Sequence, residues 1–240
     1  MIDPDDVATW PDDLREYVDE LSASAPDDIE YTADLRLLDE AKSILAMLDG
    51  AVVRAYHCTR LLPHEVVAVR QSGLKALSGN LMAGRIGDAL LAGSISQAES
   101  IELLNGHVFA RGMAENREGR VCLVAGRTMF DSHSSGFNDL LSIWGGEAIY
   151  SAMGERWEPR LRDLGTASIV AVDLDLAHTG KNRHHLVFPG IAELFVGCAL
   201  QLEDRGVEIH YFADVPGGRV VGVWQPGHAE YDRHPELPRE

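Results

Sequence analysis

Apolar residues near the start of the chain recur three and four positions apart. Leu14, Val18 and Leu21 share one face of a short amphipathic helix, set in an acidic, proline-containing stretch, as a period near 3.6 requires. "ADLRLLDEAKSILAML", residues 33–48, groups Leu35, Leu38, Leu45 and Leu48 and predicts a second helix stopping at Asp49-Gly50. The pattern then shortens. "AVVRAYHC" (51–58) is β-branched and aromatic and predicts a strand. "PHEVVAVRQSG" follows, with Pro63 suited to a first helical turn and Gly73 to a stop. Residues 79–118 read as helical, and Ser96 with Glu99 has capping-box spacing.

Strand signals dominate the second half. "GRVCLVA" (119–125) predicts a buried strand, and "GFNDLLSIWGGEAIYSAM" (136–153) one or two helices around Gly145-Gly146. "ASIVAVDLDL" (167–176) predicts a strand, and "PGIAELFVGCAL" (189–200) contains another. "VEIHYFADVPGGRVVGVW" (207–224) predicts a hairpin turning at Pro-Gly-Gly. This order is α+β, not a regular βαβ alternation. It divides the chain into a helical N-terminal extension (1–50), a main domain (51–226) and a polar, loosely attached C-terminal tail (227–240).

Composition narrows the classes. At 240 residues and 45% hydrophobic, the chain can bury one sizeable core. It has no apolar run of about 18 residues, and its acidic beginning lacks the apolar segment of a signal peptide. A cytoplasmic protein with no membrane partner is therefore expected. Cys58, Cys122 and Cys198 each lie in an apolar run and fit neither a disulfide framework nor a metal pattern, so buried thiols are expected. The 21 Lys+Arg against 38 Asp+Glu give a net charge of −17, which disfavours non-specific nucleic-acid binding. There is no P-loop, GxGxxG or GxSxG. Ten histidines, His184-His185 and His57/His64 among them, include no HExxH pair and read as loop histidines.

Two positions invite chemistry. His57 and Thr59 are two apart and share one face of a strand. Glu193 is the single charge in an apolar run, where a carboxylate is costly unless paired or used. Simple alternation also accounts for it, with Ile191, Glu193 and Phe195 on one face and Ala192, Leu194 and Val196 on the other.

Together these motifs carry a resemblance. "YHCTRL…VVAVRQSGLKALS" resembles the opening of ADP-ribosyltransferase-fold enzymes of the DarT-like and PARP-like branch, whose first core strand ends in His-x-Thr or His-x-Ser before a helix and Gly-Leu. "IAELFVGCAL" resembles the late strand that presents their catalytic glutamate. The resemblance implies an ADP-ribosyltransferase-like split β-sheet core and NAD as substrate. His57 would hydrogen-bond a ribose hydroxyl, and Cys58 would offer its backbone to the nicotinamide carboxamide beside the Thr59 hydroxyl. Glu193 would hold the nicotinamide-ribose 2′-hydroxyl and polarise the nucleophile. Breaking the nicotinamide–ribose bond passes through an oxocarbenium-like state, which a fixed carboxylate stabilises.

The family also needs an aromatic wall, for which Trp144, Tyr150 and Phe130 are candidates, with Gly145-Gly146 allowing close approach of a ligand. Arg60 or Arg127 would pair with the pyrophosphate, and Glu147 rivals Glu193 for the catalytic carboxylate. The acceptor would be a protein, a nucleic acid or water, in a toxin or antiviral effector with an antitoxin or regulatory partner. Two alternatives stand beside this. One is an inactive scaffold of the same fold acting as a binding module, and the other is an RNA 2′-phosphotransferase relative, for which the motif supplies only Arg54 and Arg60.

Overall fold

β-Branched and aromatic residues from Val52 onward form the longest extended run in the first half of the chain, and the sheet is built around it. The computed structural model describes residues 1–26, 35–114, 117–131, 137–178, 190–202 and 206–239. The strands are β1 (Val52–Leu61), β2 (Val121–Ala125), β3 (Thr166–Asp175), β4 (Val207–Tyr211) and β5 (Val220–Trp224). The helices before β2 are α1 (Asp12–Ser24), α2 (Leu38–Met47), α3 (Pro63–Ser72), α4 (Gly79–Leu91) and α5 (Gln97–Gly106). After it come α6 (Phe137–Ser142), α7 (Glu147–Met153), α8 (Glu158–Arg162), α9 (Gly190–Ala199) and α10 (Ala229–Asp232). The α+β expectation holds. The described strands form one sheet of order β4-β2-β1-β3-β5, with β1 antiparallel to β2 and Tyr56 opposite Val124. Among the described residues no helix is long and apolar enough to cross a membrane.

The chain divides into two compact units. The first comprises Met1–Tyr56, Cys122–Ser134 and Val172–Tyr211, so the helical segment 1–50 lies within it. Ile2 bridges Val53 in parallel, and its backbone is bonded to Val52 and Arg54. Leu14, Val18 and Leu21 of α1 are buried as the spacing predicts. On the second helix the buried face is rotated from the predicted one: Leu37, Ala41, Ile44 and Leu48 are buried and Leu45 is exposed, while the side chain of Leu35 lies outside the described residues.

Residues 190–199, predicted as strand, form α9. Its buried side chains, Ile191, Ala192, Leu194, Phe195, Val196 and Ala199, surround much of the helix because it packs against α1, α2 and β4. Such a helix lacks a polar face, and its sequence reads like a buried strand. Trp10 meets Phe195 edge-on, with ring centroids 4.9 Å apart.

The second unit comprises His57–Val121, Ser135–Ala171 and Phe212–Glu240. Its core joins Leu62 to Met82, Ile86, Leu103, Trp144 and Ile149. The tail after Pro226 is packed, in contrast to the expectation: Tyr231 is fully buried and donates to the Pro238 carbonyl at 2.5 Å, and Leu237 is buried. Nor is there a hairpin over 207–224, since β4 and β5 occupy opposite edges of the sheet. The Pro216-Gly217-Gly218 segment instead forms a tight turn against the end of α3, where Leu74 and Val215 pair as an isolated bridge.

That docking explains Gly73. Its φ is +82° and ψ −164°, and a Cβ there would lie 1.8 Å from the Val215 carbonyl oxygen. Gly50 has a similar φ of +71° but nothing within 4 Å of a built Cβ. Gly73→Ala is therefore expected to lower stability by about 3 kcal/mol or more, combining backbone strain with a clash against main chain. Gly50→Ala is expected to cost only about 1 kcal/mol. Equal losses in urea unfolding would refute the steric account.

Candidate functional site

From Arg54 onward β1 carries polar side chains at alternate positions, which in a strand point to one face. At its end Cys58, Thr59 and Arg60 are buried, while His57 is half-buried. Burial pushes the Cys58 thiol well above its ordinary range, so the sulfur is a neutral packing group and not a nucleophile. Arg60, a candidate for a pyrophosphate contact, turns inward: Nε donates to the Leu164 carbonyl at 2.7 Å and Nη1 to that of Leu141 at 3.4 Å. Burial lowers its pKa. Its guanidinium ties β1 to the segments ending at Leu141 and Leu164 and is not displayed to a ligand.

Immediately after β1, Pro63 starts α3 and Glu65 stands in its first turn. The Glu65 carboxylate is buried, and it accepts from Leu62 N–H at 2.8 Å, Arg85 Nε at 2.6 Å and Trp144 Nε1 at 2.9 Å. Burial is the largest single influence on its pKa and opposes ionisation. The Arg85 charge and the hydrogen bonds from Arg85, Leu62 and Trp144 together outweigh it and hold the carboxyl below its ordinary range. The Arg85 guanidinium also lies 5.2 Å from the Trp144 ring centroid, a cation–π contact. Its Nη2 is buried without an acceptor among the described residues, so the charge depends on Glu65. Sequence reasoning passed over Glu65, although a proline followed two positions later by a glutamate is a helix-start signal.

This cluster corrects the aromatic wall. Trp144 is fully buried, with its N–H committed to Glu65, and cannot stack on a ligand. Gly145 and Gly146 have φ of +84° and +54°, and a Cβ on Gly145 would come within 2.3 Å of Ile149. At Gly145 the missing side chain serves close packing onto α7, not ligand approach. Tyr150 is partly buried against the core of the same unit. Glu147 begins α7 with half of its side chain exposed and pairs with Arg117 Nε at 2.9 Å. His57, Cys58, Thr59, Arg60, Trp144, Glu147 and Tyr150 all belong to this second unit.

Glu193 belongs to the first unit, half-buried on α9 and not on a strand. Arg127 lies in that unit too and is engaged there: Nε donates to the Tyr56 hydroxyl at 2.8 Å, Nη2 reaches Asp3 at 3.3 Å, and its backbone N–H donates to Asp5. Phe130 is buried edge-on to Tyr56. A groove of about 260 Å³ is lined by Asp5, Trp10, Arg15, Asp19, Leu194 and Cys198 among others. Leu194 and Cys198 are one helical turn apart, and Glu193 is not part of the lining. His184-His185 lie outside the described residues.

No protein-family model matches the chain, and neither a curated protein nor a solved structure is found to be similar to it.

The Glu65 cluster makes a sharp expectation. Glu65→Gln removes the charge partner of the part-buried Arg85 guanidinium and should destabilise by about 2–3 kcal/mol, whereas Trp144→Phe, losing one hydrogen bond, should cost about 1–2 kcal/mol. Because the folded Glu65 pKa lies below the ordinary 4.5, its contribution is complete above that value and is lost as pH falls through the folded one. Denaturant unfolding at stepped pH should show wild type losing more stability on acidification than Glu65→Gln. Parallel acid limbs would exclude Glu65 as a source of acid sensitivity.

Proposed function

We propose that the chain is an NAD-consuming enzyme of the ADP-ribosyltransferase type, with an ADP-ribosyltransferase-like split sheet as its core. It would cleave the nicotinamide–ribose bond and pass ADP-ribose to a macromolecular acceptor or to water. The observation that supports this best is the local architecture of the first motif. His57 and Thr59 alternate near the end of β1, α3 follows at once, and Gly73-Leu74 closes the segment at a site where a side chain would strike main chain. This is the strand–helix–Gly-Leu order on which the resemblance rests.

In this reading His57 binds a ribose hydroxyl, while the main chain at Cys58 and the Thr59 hydroxyl orient the carboxamide. A neutral amide is recognised by directional donors and acceptors, and a strand end supplies both. The carboxylate that stabilises positive charge on the ribose is Glu193 or Glu147. Glu193 fits the sequence motif but stands on α9. Glu147 is half-exposed and shares a compact unit with His57.

Release of free nicotinamide from NAD tests the proposal. Wild type is expected to release it, His57→Ala to lose about 100-fold in rate, and one of Glu193→Gln and Glu147→Gln to lose at least as much, all with unchanged melting temperatures. Loss in neither carboxylate variant would leave the oxocarbenium-like state without its counter-charge and overturn the mechanism. Absence of both nicotinamide release and NAD-induced thermal stabilisation would overturn the enzyme reading in favour of an inactive binding module.

A further inference from the structure

We propose that Cys122, Glu208 and His210 form a binding site for one divalent transition-metal ion, with zinc the best match. All three residues belong to the first compact unit. Cys122 is the exposed position of β2, flanked by the buried Val121 and Leu123. On β4 the buried residues are Val207, Ile209 and Tyr211, so the two-residue period turns Glu208 and His210 together to the opposite face. β4 is the neighbour of β2 in the sheet. The Cys122 sulfur, a Glu208 carboxylate oxygen and a His210 ring nitrogen all lie within 4.8 Å of one another, and His210 Nε2 is 2.9 Å from Glu208 Oε1.

The spacing suits a small ion. Zinc bonds of about 2.3 Å to sulfur and about 2.0 Å to nitrogen and oxygen put tetrahedral ligand pairs roughly 3.3–3.6 Å apart. Small rotations of three side-chain ends on a fixed sheet close the remaining gap. The donor set decides the metal: thiolate and imidazole favour zinc, cobalt and their neighbours, whereas calcium and magnesium prefer all-oxygen sites. Three protein ligands at an exposed sheet face leave a fourth position to water, the arrangement of open rather than closed zinc sites.

An independent feature points the same way. Cysteine is among the most buried residue types, and all three cysteines read as buried in the sequence, yet Cys122 is exposed. A surface thiol beside an imidazole and a carboxylate has a use as a ligand that packing does not give it. No short-range motif announces the site, because its ligands come from two strands far apart in the chain.

Tag-free, chelator-stripped full-length protein titrated with cobalt(II) provides the test. One equivalent is expected to bind with a thiolate-to-cobalt charge-transfer band and the visible bands of tetrahedral cobalt, and zinc is expected to bleach both. Cys122→Ser should abolish the charge-transfer band, and His210→Ala and Glu208→Gln should each weaken zinc at least 10-fold in competition with a chromophoric chelator. Cys198→Ser should leave the spectrum unchanged. Cys122 and Glu208 are exposed and His210 is part-exposed, so the metal-free Cys122→Ser and Glu208→Gln variants should keep the wild-type melting temperature. Binding that is not saturable at one equivalent, or a charge-transfer band that survives Cys122→Ser, overturns the proposal. This outcome is independent of NAD turnover.

Discussion

A buried carboxylate bonded on three sides fixes how the chain leaves its central strand. Glu65 receives the amide of Leu62, the guanidinium of Arg85 and the indole of Trp144. These partners come from the end of β1, from α4 and from the segment before α7, so one charge sets the start of α3 against two other elements. Replacing such a cluster with apolar side chains could be as stable, because desolvating two charges offsets most of their attraction. What the ion pair adds is direction. A hydrophobic contact tolerates sliding, whereas three donors aimed at two oxygens do not.

The same logic runs along β1. At alternate positions Arg54, Tyr56, Cys58 and Arg60 would ordinarily mark a solvated strand face, yet Tyr56, Cys58 and Arg60 are buried. Arg54 pairs with Asp173 at 2.7 Å, Tyr56 accepts from Arg127, and Arg60 is held by two carbonyls. These residues act as ties between strands and loops. In the other register Val53, Ala55 and Thr59 are buried too, and His57 is half-buried.

How legible this was depended on the period of each segment. α1 could be read because Leu14, Val18 and Leu21 alternate with charge, and the Ser96–Glu99 capping box is present as predicted, with both reciprocal hydrogen bonds. β1, β2 and β3 stood out by their β-branched content. α9 could not be read, since burial against three neighbours removes the polar face that reports a helix. α2 was found but with the wrong face, because several leucines offered competing registers and only tertiary packing selects Leu37, Ala41, Ile44 and Leu48. Trp144 looked like a ligand platform beside two glycines, and only the bond from its indole to Glu65 shows it to be a structural donor. The Cys122, Glu208 and His210 cluster needed sheet order, which no local pattern encodes.

Placing these side chains also constrains how NAD would be held. Its diphosphate carries negative charge, and the chain has a net charge of −17, so long-range repulsion opposes binding. The arginines nearest the motif in sequence do not relieve this: Arg54 is paired with Asp173 and Arg60 is buried on carbonyl oxygens. Arg127, the other candidate, lies among Asp3, Asp5 and Tyr56. Freeing any of them would strand a buried or half-buried partner, at a cost comparable to a lost charged hydrogen bond. On the proposed reading, recognition at the His57 end of β1 would then rest on the nicotinamide and its ribose, through directional hydrogen bonds from a strand terminus, with the diphosphate left to main-chain donors or solvent. An enzyme of this kind would distinguish its substrate by the neutral end of the dinucleotide, which is also the end at which the bond breaks.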